Sequence, residues 1–145
     1  GLRGRKRAQG RMQGGVYGGS PIEGLQGDSV RPTTGKVKEA LFSILGDRVV
    51  GAVVVDCFSG TGALGLEALS RGASQVTFVD NATESLKVLK LNLAKIDPEG
   101  YNIILQGDIV RFTEMRPEDR RVLIEEISGI SWTEIITFCM IYAMI

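Results

Sequence analysis

The sequence predicts an α/β fold built on a doubly wound parallel sheet. Three observations carry this. Apolar runs that each end in an acid (VVVD, VTFVD, NIILQGD) recur along the chain, stretches of helical periodicity separate them, and a glycine-rich turn follows the first run directly. Strand, helix, strand, helix, strand at this spacing is the βαβαβ half of such a sheet. With 145 residues, 43% of them hydrophobic, the chain has the size and apolar content of one globular domain.

Three segments are expected: a basic, glycine-rich arm or hairpin over 1–30, a cofactor-binding core over 31–112, and an atypical helix plus apolar strand over 113–145. In the arm, GGVYGGSPIEGL suits short extended pieces separated by glycine turns. The core opens at Arg31 and Pro32, where Thr33 or Thr34 can cap a helix; VKEALFSIL places Val37, Ala40, Leu41, Ile44 and Leu45 on one helical face. VVGAVVVDCF follows, uniformly apolar and β-branched, as a strand buried on both faces of a parallel sheet would be. ALGLEALSRGA is then a helix stopped by Gly72, QVTFVD a second strand, and ATESLKVLKLNLAKI a helix with Leu86, Leu89 and Leu93 inward. NIILQGD supplies the third strand. PEDRRVLIEEISGI reads as a helix with Pro117 in its first turn and Gly129 past its end, and TEIITFCMIYAMI as a fourth parallel strand. Without that last strand the first would present an unpaired edge, and self-association through it is expected.

The formal net charge is zero, yet residues 1–38 hold eight Lys or Arg against two acids (8 − 2 = +6) and residues 39–145 hold nine against fifteen (9 − 15 = −6). Clustered cations at one end point to a polyanionic partner, because neutralising phosphates releases counterions. The absence of histidine excludes His-dependent triads and His metal clusters, and no other metal-ligand spacing occurs. Cys57 and Cys139 have neither the pairing of a metal site nor the density of a disulfide scaffold, which predicts reduced thiols and a cytoplasmic setting. No run reaches the roughly 18 to 20 apolar residues a membrane span needs, so a soluble protein is expected.

The turn after the first strand carries the chemistry. Glycines at a strand's carboxyl end allow a tight turn and let a ligand approach the main chain without meeting a Cβ atom. Gly60, Gly62 and Gly65 form a literal Gly-x-Gly-x-x-Gly, which alone also fits a nicotinamide dinucleotide. Asp56, however, opens the loop, and Asp80 and Asp108 stand at the next two strand tips with no basic residue among them. Three acids favour a cationic guest, and S-adenosylmethionine fits. Asp56 would orient the loop and accept from the amino-acid end, Asp80 would take the ribose hydroxyls, and Asp108 the adenine amino group. Ser59, Asn81 and Gly107 belong to the same loops, and Phe58 would line the pocket.

These residues resemble those of the Rossmann-like S-adenosylmethionine-dependent methyltransferases. GDSVRPTTGKVKEALFSIL is similar to the segment before the cofactor loop in the bacterial enzymes that methylate guanine N2 of small-subunit (16S) ribosomal RNA, and GGVYGGSPIEGL to their amino-terminal hairpin. The resemblance covers about Gly14 to Phe112. It implies that Thr33 and Thr34 line the cofactor pocket and that Arg31 and Lys36 lie near the RNA; the basic Arg3, Arg5, Lys6 and Arg7 fit the same partner, ribosomal RNA or the small subunit. That family's Asp/Asn-Pro-Pro-Tyr motif, which orients the target amine and stacks on the flipped base, is absent, so no catalytic residue is assigned. The expectation is a cofactor-binding half, weakly active or inactive alone. PEDRRVLIEEISGI is instead similar to a segment in the head of chromosome-maintenance ATPases, without a Walker loop beside it. A non-catalytic RNA-binding or assembly module is the alternative of a different class.

Overall fold

The computed structural model describes residues 9–24, 35–57, 59–96, 103–106, 115–129 and 135–137. A two-stranded antiparallel hairpin, β1 (Gln9–Arg11) and β2 (Pro21–Glu23), precedes helix α1 (Gly35–Leu45) and a 3-10 turn (Gly46–Val49). Then follow β3 (Val53–Asp56), α2 (Ala63–Ser70), β4 (Gln75–Asp80), α3 (Thr83–Ala94), β5 (Ile103–Gln106), α4 (Pro117–Ser128) and β6 (Ile135–Thr137). The last four strands form one parallel sheet in the order β5-β4-β3-β6. This is the doubly wound, Rossmann-like arrangement, with the order reversing between β3 and β6, where such sheets open a crevice beyond their carboxyl ends.

Alternation along each strand divides the core. Val54, Val76 and Phe78 face one side, where they meet Leu64 and Leu66 of α2, Leu86, Leu89 and Leu93 of α3, Phe42 of α1 and the hairpin residues Met12 and Ile22. Val55, Cys57 and Val79 face the other side, where Ile124 of α4 covers them. Both faces are therefore dry, which is why the β3 sequence carries no polar alternation. Pro117 lies in the first turn of α4, and Gly129 ends it at φ 75°.

One expectation changes. The inward face of α1 is formed by Lys38, Leu41, Phe42 and Leu45, while Ala40 and Ile44 turn to solvent. The helix is rotated because the Lys38 ammonium, 1% exposed as a residue, donates to the Arg11 carbonyl at 2.6 Å and so has a partner inside. The edge of β3 is covered, as the expected fourth parallel strand implies, by β6 in the register Val53↔Ile135 to Val55↔Thr137. The condition for self-association through that edge is not met.

Candidate cofactor-binding site

The loop between β3 and α2 gives each glycine a separate task. Gly60 has φ 53° and, among the described residues, nothing within 4 Å of where a Cβ would stand, so its backbone borders open space there. Gly62 has φ 96°, and a Cβ there would come within 2.4 Å of the Leu89 side chain. Gly65 lies inside α2, where a Cβ would meet the Phe78 ring at 2.3 Å; its bareness lets the helix press onto β4. A turn and a close helix–strand approach are two of the reasons such a motif needs glycine, and Gly62 adds a tight contact with α3.

Asp56 is fully buried, and its Oδ2 accepts from the amide of Gly65 at 3.1 Å. The carboxylate thus occupies the positive end of α2, anchoring the helix to the tip of β3. Asp80 reaches across to the same loop: Oδ2 accepts from Gly60 N at 2.8 Å and Oδ1 from Ala82 N at 2.9 Å. It remains partly accessible. Ser59 donates its amide to Val79 O at 3.1 Å, and its buried hydroxyl has no hydrogen-bond partner among the described residues. Asn81 is exposed beside Asp80, and Lys36 is exposed at the start of α1. Asp56, Ser59, Gly60, Gly62, Asp80 and Asn81 are thus brought together at the carboxyl ends of β3 and β4. Phe58, Gly107, Asp108, Arg31, Thr33, Thr34, Arg3, Arg5, Lys6 and Arg7 lie outside the described residues.

Several polar residues that sequence reasoning passed over hold the hairpin against this site. Glu67, fully buried on α2, accepts from Gln13 N at 2.9 and 3.1 Å and from Gly14 N at 3.1 Å, and pairs with Arg71 at 3.0 Å. The Arg71 guanidinium in turn lies 4.9 Å from the centre of the Phe42 ring. Ser70 Oγ donates to Gly14 O at 2.5 Å and accepts from Tyr17 N at 3.0 Å. Gly15 has φ 75° and touches the Ser70 carbonyl so closely that a Cβ would stand 1.8 Å from it. At the other end of the hairpin Asn92 of α3 bonds both to Glu23 and to Thr61. The legible signal was phase: Glu67 is three residues past Leu64, and Asn92 three past Leu89, so each polar residue falls on its helix's apolar stripe.

Cys57 also departs from expectation. It is disulfide-bonded, not a reduced thiol. In sequence the two cysteines each stand two positions past the paired Val55 and Thr137, an offset that only the strand register reveals.

Residues 10–123 match the family model described as conserved hypothetical protein 95. The chain belongs to this family. Over 94 residues it is 41% identical to the ribosomal RNA small subunit methyltransferase D of Escherichia coli K12, covering 65% of this chain and 48% of the relative. Among solved structures it is similar to yhhF from Escherichia coli, with a TM-score of 0.64 and 29% identity, over 83% of this chain and 74% of that one. The chain spans about half the length of the curated relatives it matches. A stretch of 50 residues, 34% of the chain, is 54% identical to the chromosome partition protein Smc of Pyrococcus furiosus and covers 4% of it. Among the described residues no helix is long and apolar enough to cross a membrane.

Proposed function

We propose that this chain is the cofactor-binding half of an S-adenosylmethionine-dependent ribosomal RNA methyltransferase that acts on guanine N2 of small-subunit RNA. The observation that carries the reading is the carboxylate of Asp56 at the amino end of α2, on the Gly65 amide. A dinucleotide needs that helix end for its diphosphate; here an acid already stands on it, which disfavours the nicotinamide alternative.

The residues present fit S-adenosylmethionine. The open space beside Gly60 admits a ligand against the main chain, the buried Ser59 hydroxyl offers an unmet polar atom, and Asp80 keeps accepting capacity for a ribose diol. When bound, the cofactor supplies an electrophilic methyl group. The chain's own residues would hold it: Asp80 and Asn81 at the ribose, Ser59, Gly60 and Gly62 along the main chain, with Phe58, Gly107, Asp108, Thr33 and Thr34 completing the pocket. Arg31, Lys36 and the basic residues Arg3, Arg5, Lys6 and Arg7 would face the RNA backbone. The base-orienting Asp/Asn-Pro-Pro-Tyr motif does not occur in this sequence, so binding without efficient transfer is expected.

Incubation with cofactor carrying a tritiated methyl group, followed by filter binding and by counting of small-subunit RNA, tests both halves. Retained cofactor with little label on RNA is expected. No retention by folded protein refutes the binding role, and rapid labelling refutes the inactivity.

A further inference from the structure

Besides the Lys38 bond to Arg11 O and the packing of Met12 and Ile22, two polar attachments hold the hairpin to the core. Its turn rests on the carboxyl end of α2, through Glu67 and Ser70. Its open end rests on α3, where Ile22 packs against the helix, Lys95 pairs with Glu23 at 3.9 Å, and a buried side chain holds the Glu23 main chain. Asn92, 2% exposed, accepts from Glu23 N at 2.8 Å, donates to Glu23 O at 3.0 Å and donates to Thr61 O at 3.0 Å. Thr61 belongs to the glycine turn between Gly60 and Gly62. One amide therefore joins β2 to the cofactor turn, and every donor and acceptor it presents in these bonds is held by main chain.

The antiparallel register pairs Gln9 with Glu23, so the point where β1 begins lies directly beside the clamped residue. The residues preceding Gln9 in sequence include Arg3, Arg5, Lys6 and Arg7. The root of the basic arm and the cofactor turn are thus two strands and one side chain apart. A buried amide with all of these bonds made has a single favourable geometry, because a buried donor or acceptor left without its partner has given up water for nothing. A guest that fixes the Gly60–Gly62 turn also fixes the Thr61 carbonyl, and through it the position of β2.

We infer that Asn92 is a positioning residue that couples occupancy of the cofactor crevice to the placement of the basic arm, and so to RNA affinity. This rests on the proposed function above. Coupling carried by one buried side chain is reciprocal, and a ratio of about fivefold is the expected scale.

The test measures binding of a fluorescently labelled RNA stem-loop with and without S-adenosylhomocysteine, in the wild-type chain, in Asn92→Ala and in Ser70→Ala. The wild type is expected to bind RNA about fivefold tighter with the cofactor product present. Asn92→Ala should bring that ratio to about one. Ser70→Ala, which loosens only the distant dock, should keep it. Amide hydrogen exchange on the wild type supplies a measurement free of any folding defect in a variant: the cofactor product should slow exchange at Glu23 N, the amide held by Asn92 Oδ1. Unchanged exchange at Glu23 while the turn amides become protected overturns the inference. So does a ratio of one in the wild type, or a ratio that Asn92→Ala leaves intact. If the folded wild type binds neither ligand, the proposed function itself fails.

Discussion

Gly60 donates its backbone amide to Oδ2 of Asp80 at 2.8 Å, tying the turn after β3 to the tip of β4 across 20 residues of sequence. The acid shapes the turn before any ligand arrives. An Asp80→Ala variant should therefore lose both a ligand contact and the preset turn. A hydrogen bond to a charged group contributes about 1.5–3 kcal/mol, so affinity for S-adenosylhomocysteine should fall by roughly ten- to a hundredfold in calorimetric titration, with the fold retained by circular dichroism.

Two glycine substitutions should separate binding from stability. Gly65→Ala places a methyl group against the Phe78 ring, an overpacking that costs about 1–3 kcal/mol and should appear as a lower midpoint in urea. Gly60→Ala meets no neighbour among the described residues, and its φ of 53° costs about 1–2 kcal/mol. Its methyl group instead intrudes where the ligand would lie. Its affinity for the cofactor product should fall further than its stability alone accounts for.

Lys38 predicts a pH dependence. Burial lowers its pKa below the ordinary 10.5, with Arg71 lowering it further and Glu67 opposing. Between the lowered value and 10.5 the unfolded chain binds more protons at this site than the folded one. Stability contributed by this group therefore rises with pH across that window. Urea unfolding at successive pH values should show the rise, and Lys38→Met should remove it; an identical slope in the variant contradicts the assignment.

Cys57 should resist alkylation in protein unfolded without reductant and become labelled once a reductant is added. Mass spectrometry of the peptide that contains it distinguishes the two. Labelling of the unreduced protein contradicts the bonded state.

Much of this molecule was legible because its strands and helices differ in period. The uniform VVVD run, the Leu86–Leu89–Leu93 spacing and the Pro117 and Gly129 boundaries of α4 each have a local cause, and each element forms where that cause places it. The glycine turn was legible as well, since backbone freedom is written in the residue type. What escaped depends on contacts between distant segments. The rotation of α1 follows from a carbonyl of the hairpin that accepts the Lys38 proton, and no property of VKEALFSIL announces it. The phase of Glu67 and Asn92 marks them as inward-facing, but their partners are main-chain groups 53 or 54 and 69 or 31 positions away, which no local pattern names. The bonded state of Cys57 needed the β3–β6 register, which the sequence alone does not display.

The most direct test of the central claim, a crevice that takes S-adenosylmethionine and not a dinucleotide, is calorimetric titration of the folded chain with S-adenosylhomocysteine and, separately, with NADH. Saturable heat with the former and none with the latter is the predicted result. Heat with NADH alone, or none with either in a sample whose circular dichroism shows the α/β fold, contradicts it.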